Sequence, residues 1–393
     1  MFRRLPDSLP EDPAWEADLT RLGYFINEKS EIRQIRHPTE RFKFNVTNNE
    51  IADRMERLGA PALYLPQMTT EDPKEPCVPI FATRQADLKT KQTVIVIVND
   101  FIQDLGVWAY RTINDQGFDV GSCAGTLKSL KRRAGSTETE PGLVVLNPGQ
   151  CYYSHREKRA LSHASWEALP RKSLFHPAIK VHEAHNLIPG SRDGREHIAT
   201  AFAKVINNAA YVSENANLFV VGIGQGTTGV LSYLDEHWSA MSSRVKAAAW
   251  VHPHVDPQTL NPSLAKFVET RTRAWVVSAA PVNTCVGIAD RDDRPTRSAD
   301  SSRLWEDADE EPKEHFICPT FSGGEENFVE CVFPKSCDAM LDFFDDVMTV
   351  GEKYVNPAFE PARNSQSGAA NARAKVAGLN VTIEELDKTG KST

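Results

Sequence analysis

Leu218-Phe219-Val220-Val221-Gly222-Ile223-Gly224-Gln225-Gly226-Thr227-Thr228-Gly229 is the stretch that decides the fold. Its first four residues form a short apolar run, as in a strand buried on both faces. Glycines at alternate positions follow directly. Then Val230, Leu231, Leu234 and Trp238 recur at helical spacing. A strand, a glycine turn and a helix in immediate succession make the frame of the nucleophile elbow, G-x-S-x-G. There a sharp turn lifts a reactive side chain over the end of a parallel sheet. The outer glycines, Gly222 and Gly226, let strand and helix crowd together. The central position is Gly224, which suits an awkward backbone but carries no nucleophile.

Similar runs lie on both sides of this unit. Thr93–Val98 (TVIVIV), Leu143–Leu146 (LVVL), Ala247–Val251 (AAAWV) and Ala274–Ser278 (AWVVS) are strand candidates. Between and after them, Ile198, Phe202, Val205, Ile206 and Ala209 mark one amphipathic helix, and Met340, Leu341, Phe344, Val347 and Met348 another. Strands alternating with helices predict an α/β fold, with a mostly parallel central sheet and helices on both faces. Upstream, Gly23–Ile26 and Glu31–Ile35 read as a hairpin around Asn27–Ser30. Asn48 is a candidate cap for a helix over 49–58, closed by Gly59 and Pro61, with irregular, proline-rich chain to about residue 90. The expected organisation is an N-terminal hairpin and irregular segment over 1–90 packed on a core domain over 91–350. A charged insertion over 290–313 and a polar tail over 351–393 have too few apolar residues to offset chain entropy.

Composition narrows the function. The chain has 393 residues, 45 Lys+Arg, 53 Asp+Glu and a net charge of -8. Such an acidic balance speaks against broad affinity for nucleic-acid phosphate, and no aromatic–glycine signature of an RNA-recognition sheet is present, so direct nucleic-acid binding is not expected. The basic cluster Lys128, Lys131, Arg132 and Arg133 reads as a solvated helix end. The longest apolar runs are about five residues, whereas a membrane helix needs ~20. The start, MFRRLPDSLPEDP, lacks the apolar segment of a secretory signal. Seven cysteines, at 77, 123, 151, 285, 318, 331 and 337, form no C-x-x-C pair. That usage fits a reducing compartment and argues against a cysteine-rich zinc site.

In open parallel sheets function gathers at the carboxyl ends of the strands. An acyl-transfer site there needs an acid after Ala274–Ser278 and a histidine after the next strand. Asp290, Asp292 and Asp293 fall in the charged insertion. His315 starts the expected next strand, His315–Cys318, at its wrong end, and the loop Ser322–Phe328 contains no histidine. Nucleophile and base are both missing from their places, and losing either removes most of the rate. No catalytic residue is therefore assigned. What the turn retains is a candidate ligand pocket: Gly222, Gly224, Gln225 and Gly226, with Asn99-Asp100 where a second donor loop belongs.

Two rival motifs are weaker. Gly224–Gly229 also matches G-x-G-x-x-G, but the acid that a dinucleotide site wants at the end of the next strand comes late, at Asp256, and no Lys-Ser or Lys-Thr pair makes a P-loop. His252-Pro253-His254-Val255-Asp256, with His182 and His185, offers imidazole and carboxylate donors, yet Pro257 stands where a further ligand is expected. No metal and no cofactor are assigned.

The order of several segments resembles the Argonaute-binding-protein-two domain family. They are LGYFINEKSEIRQI near the start, PIFAT at 79–83, VIVIVNDFIQDLGVWAYRTINDQGFDVGS at 94–122, VVLNP at 144–148, the glycine elbow, and SGGEEN at 322–327. Gly106-Val107-Trp108-Ala109 and Asn147-Pro148 are its most diagnostic pieces. The resemblance spans about residues 15–350 and includes a fission-yeast-type subunit of the Argonaute siRNA chaperone complex, the C-terminal domain of fungal class II histone deacetylases and animal nuclear proteins. It implies an α/β-hydrolase-like fold, usually without catalysis, in nuclear RNA interference and heterochromatin assembly. The nucleus is then the expected location, with the cytoplasm second, and an Argonaute complex the expected partner. Some relatives keep an elbow serine and a last-loop histidine. Gly224 and Asn327-Phe328 stand there in this chain, and the deacetylase-fused form is not the one expected here. The resemblance thus implies a pseudo-hydrolase scaffold. The competing expectations are an esterase-like hydrolase with rearranged catalytic residues, or a small-ligand or nucleotide sensor.

Overall fold

The computed structural model describes residues 24–26, 32–35, 45–169, 179–253, 255, 259–288 and 317–362. A hairpin of β1 (Tyr24–Ile26) and β2 (Ile32–Gln34) opens it, as the sequence predicts. The main sheet takes β3 (Ala62–Leu65), β4 (Val78–Ala82), β5 (Thr93–Val98) and β6 (Gly142–Leu146). A small hairpin, β7 (Tyr152–Ser154) and β8 (Arg159–Leu161), follows. The sheet then resumes with β9 (Asn217–Ile223), β10 (Val245–Val251), β11 (Thr272–Val276), β12 (Cys285–Gly287) and β13 (Thr320–Ser322). Its spatial order is β12-β13-β11-β10-β9-β5-β6-β4-β3. The run from β13 to β6 is parallel, while β4 pairs antiparallel with both β6 and β3, and β12 with β13.

Why the central strands lack polar alternation is plain from their two faces. Val94, Val96 and Val98 join Leu218 and Val220 in one core, covered by helices Gly194–Ala201, Gln225–Met241 and Pro262–Arg271. Ile95, Ile97, Phe219 and Val221 face the other core, beneath helices Asn45–Arg57, Cys123–Ala134 and Val332–Val350. Each such side chain contributes ~1.5–3 kcal/mol by leaving water, so both faces must be covered, and crossover helices do this.

Several boundaries differ from expectation. The stretch from Gly59 to residue 90 is not wholly irregular: β3 and β4 extend the sheet there, and their shortness, with Pro79 inside β4, hides the pattern. The first helix begins at Asn45, and Asn48 does not cap it; its Nδ2 donates to Asp104 Oδ2 at 3.2 Å. Of the strand expected at 315–318, the described residues Ile317 and Cys318 are not extended in the sheet, which begins at Thr320 after Pro319, where pairing with β11 starts. Strand β11 ends at Val276, since the Ser278 N–H leaves the ladder for the Glu325 carbonyl at 2.7 Å. Residues 351–362 are not loose tail. Tyr354 is buried, and the Arg271 guanidinium donates to the carbonyls of Gly351 and Tyr354. The insertion 290–313 and residues beyond 362 lie outside the described residues.

Candidate functional site: a filled elbow

The turn after β9 has the predicted build. Gly224 takes φ 53° and ψ -122°, outside the range of ordinary side-chain-bearing residues, and caps the helix Gln225–Met241. Its N–H donates to the Val251 carbonyl at 2.9 Å, which ties the turn to β10. A Cβ on Gly226 would lie 2.5 Å from the Val98 carbonyl, and one on Gly222 2.7 Å from Thr227 Cα. Both flanking glycines are therefore required by close approach.

The place for the missing nucleophile is occupied by Asp100. A Cβ on Gly224 would meet the Asp100 carboxylate, 2.7 Å from Cγ and nearer still to Oδ2. The Gln225 N–H, the residue after the elbow position, donates to Asp100 Oδ1 at 3.3 Å. The sequence places Asn99-Asp100 as donors; the structure makes the Asp100 side chain an acceptor that uses the donor itself. Asn99 is buried and fixes this loop. Its Nδ2 donates to the carbonyls of Asp104 (3.0 Å) and Val107 (3.3 Å), while its Oδ1 accepts the Asp100 N–H at 2.9 Å. All six predicted pocket residues thus come together, around a carboxylate.

Beside the elbow lies a polar network that sequence reasoning missed. His197 is fully buried, which pushes its pKa down to about 3. Its Nε2 accepts the Asn147 N–H at 3.0 Å, so the ring is neutral with its proton on Nδ1. Nδ1 then donates to Ser191 Oγ at 3.0 Å, and that hydroxyl donates to the Gly190 carbonyl at 2.8 Å. A general base must accept the serine proton. Here the proton runs the other way, and Ser191, like His197, is inaccessible. Nearby, Asp104 accepts from Tyr110 Oη (2.7 Å), Asn48 Nδ2 (3.2 Å) and Gln150 Nε2 (3.1 Å). Burial, and then Asp104, push the Tyr110 hydroxyl well above its ordinary pKa. Gln150 Oε1 in turn accepts Asn147 Nδ2 at 2.8 Å. The one sequence signal for this network is Asn147-Pro148 at the end of β6; a single histidine inside an amphipathic helix gives none.

The last loop holds Glu325 where a base would belong. Its carboxylate accepts the N–H groups of Asn327 (2.9 Å) and Phe328 (3.2 Å) and Lys335 Nζ (2.7 Å). Burial pushes its pKa up, but these donors outweigh it and hold it below the usual range. His252 directly follows β10 with φ 48°, its backbone N–H on the Trp275 carbonyl at 2.9 Å. His182 and His185 lie with ring centroids 4.5 Å apart around the turn Glu183–Asn186. Among the described residues no group of three His, Cys, Asp or Glu could hold a metal ion. His254, Asp256, Asp290, Asp292, Asp293 and His315 lie outside them. The basic cluster is largely paired: Lys128 with Asp119 at 2.6 Å, Lys131 with Glu140 at 3.0 Å, Arg133 with Asp342 at 2.7 Å.

Among the described residues no helix is long and apolar enough to cross a membrane. No curated protein and no solved structure gives a significant match to the chain. The Arb2 domain model matches residues 15–282, well over half of the sequence, and it takes in the elbow, the Asp100 loop and the Asn147–His197 network; the chain belongs to the Arb2 domain family.

Proposed function

We propose that this chain is a non-catalytic, α/β-hydrolase-like scaffold of nuclear RNA interference and heterochromatin assembly, acting as a subunit of an Argonaute siRNA chaperone complex. Membership of the Arb2 family supports the Argonaute partner. A sheet that is mostly parallel, with a reversed second strand and a glycine elbow after its fifth, supports the hydrolase-like ancestry. The observation that carries the non-catalytic reading is Asp100. An acyl-transfer site needs a nucleophile over the turn and an empty donor beneath the developing oxyanion. Here the donor is taken by a carboxylate. A second negative charge ~4 Å away would be opposed by ~4 kcal/mol at an effective dielectric near 20.

One observation favours a second reading, the rearranged hydrolase. A carboxylate is itself a nucleophile, and Asp100 stands where one belongs. Two measurements separate them. A tagged chain purified from nuclear extract is expected to carry an Argonaute protein and small RNA, and Asp100→Asn to carry them equally. Absence of Argonaute from such preparations overturns the scaffold. Turnover of p-nitrophenyl esters by the wild type that vanishes in Asp100→Asn installs the hydrolase instead.

A further inference from the structure

The amino ends of β5 and β9 open onto a cavity of about 220 Å³ between helices Cys123–Ala134 and Val332–Val350. It lies at the end of the sheet opposite the elbow, one strand length or ~16–20 Å away, and is independent of the reading above. Its floor is Ile95, Phe219, Leu341 and Phe344, each no more than 4% exposed. An apolar cavity of ~150 Å³ already takes a benzene ring, so this one has room for a ring and a short chain. Ligand sites combine such apolar walls with a few placed polar groups.

The charged groups here are Arg133 and Asp345 at the mouth; the hydroxyls of Thr93 and Thr139 also line it, the first directed at Met348 Sδ and the second at the carbonyls of Ala134 and Ser136. Arg133 divides its donors among acidic residues: Nη1 to Asp345 Oδ2 at 2.9 Å, Nη2 to Asp342 Oδ1 at 2.7 Å and to the Asp338 carbonyl at 3.2 Å. Asp345 remains 51% exposed, and its Oδ1 has no partner among the described residues. The neighbouring cations face elsewhere: Lys131 to Glu140, Lys91 to the Thr137 carbonyl and Arg132 to Ser129. One guanidinium is thus met by three acids, Asp338, Asp342 and Asp345, and the mouth is net negative over an apolar floor. We propose that this cavity binds a small molecule with an aromatic or short alkyl body and a protonated amine, the body on Phe219 and Phe344 and the ammonium on Asp345 Oδ1. A carboxylate on the same body would be repelled by the excess negative charge of Asp338, Asp342 and Asp345.

The test titrates the full chain with 2-phenylethylamine, 2-phenylethanol and phenylacetate, read by calorimetry and thermal shift. The amine is expected to bind saturably with Kd on the order of 1 mM or better, about tenfold tighter than the alcohol, with the acid weakest. Asp345→Asn should bring the amine to within about twofold of the alcohol and leave the alcohol unchanged. Ala134→Phe, which fills the mouth, should abolish all three. Should that variant fail to fold, Met348→Trp at the exposed lip serves the same purpose. Unsaturable amine binding, an acid that binds as well as the amine, or binding that survives the filled mouth each overturns the proposal.

Discussion

The two ends of the parallel sheet have been treated in opposite ways. At the carboxyl end the Asp100 carboxylate fills the space over Gly224, and Asn99, Asn147 and His197 bind the surrounding loops through buried hydrogen bonds. At the amino end Phe219 and Phe344 floor a hollow whose mouth keeps an unpartnered carboxylate oxygen among the described residues. Glycine turns crowd the first end; long side chains on two helices border the second. Frame and content are therefore separable: a glycine elbow can be built while a side chain fills the space above it, and vacant volume can sit elsewhere.

The largest effect should come from breaking the crowded end at its tightest point. Gly226→Val drives a side chain into the Val98 carbonyl, which strand pairing holds in place. A loss above about 4 kcal/mol is expected, seen as aggregation or as a collapsed urea midpoint. Bulk added at the hollow end, as Ala134→Phe, should cost under about 1 kcal/mol, because there is space to enter. Equal losses at the two positions would erase the contrast.

Acid tests the buried histidine next. Burial holds the His197 pKa near about 3, below the ordinary 6.5. The unfolded chain takes up a proton below pH 6.5 that the native state refuses, so this stability is complete above 6.5 and is lost as pH falls towards 3. Between pH 6.5 and 4 that amounts to roughly 3 kcal/mol. His197→Gln should be weaker at pH 7, where the Asn147 N–H and Ser191 lose their partner, yet its stability should fall less on acidification. An unchanged slope would mean that the ring is not held neutral.

How much of this was legible follows from the range of each signal. Thr93–Val98 and the elbow are local and dense, so composition and spacing suffice to place both. Strand β4 is five residues with a proline, and only its partners β3 and β6 make it a strand. At the site, Gly224 announces a missing side chain, but that Asp100 supplies the replacement depends on a distant loop, 125 residues before the Gln225 whose N–H it accepts. Ser191 and His197 are six apart yet matter through Asn147, fifty residues upstream. Pairings of that separation leave no periodicity and no motif. Asp345 is illegible for a related reason: in sequence it is one more acid on an amphipathic helix, and the cavity beside it exists only after two helices pack.

The elbow itself allows a finer measurement. Gly224→Ala adds a methyl at φ 53°, which costs ~1–3 kcal/mol from backbone strain alone, and also presses on the Asp100 carboxylate. In an Asp100→Ala background the second part disappears. The double-mutant cycle should then show coupling on the order of 1–2 kcal/mol between residues that share no covalent neighbourhood. Additive losses would mean that Asp100 moves aside freely, and the filled elbow would be a loosely occupied one.

The smallest expected effect is at the hollow end. Asp345→Asn removes an ion pair to Arg133 at 2.9 Å, but the acid side chain is half exposed and Arg133 keeps Asp342. Solvent screens such a pair, and Arg133 need not be left buried without a partner, so stability should change by under about 0.5 kcal/mol. That near-silence is informative. If the substitution instead destabilises the chain by as much as an elbow variant does, Asp345 is a structural member of the helix contact, and the mouth of the cavity is closed by the same kind of network that closes the carboxyl end.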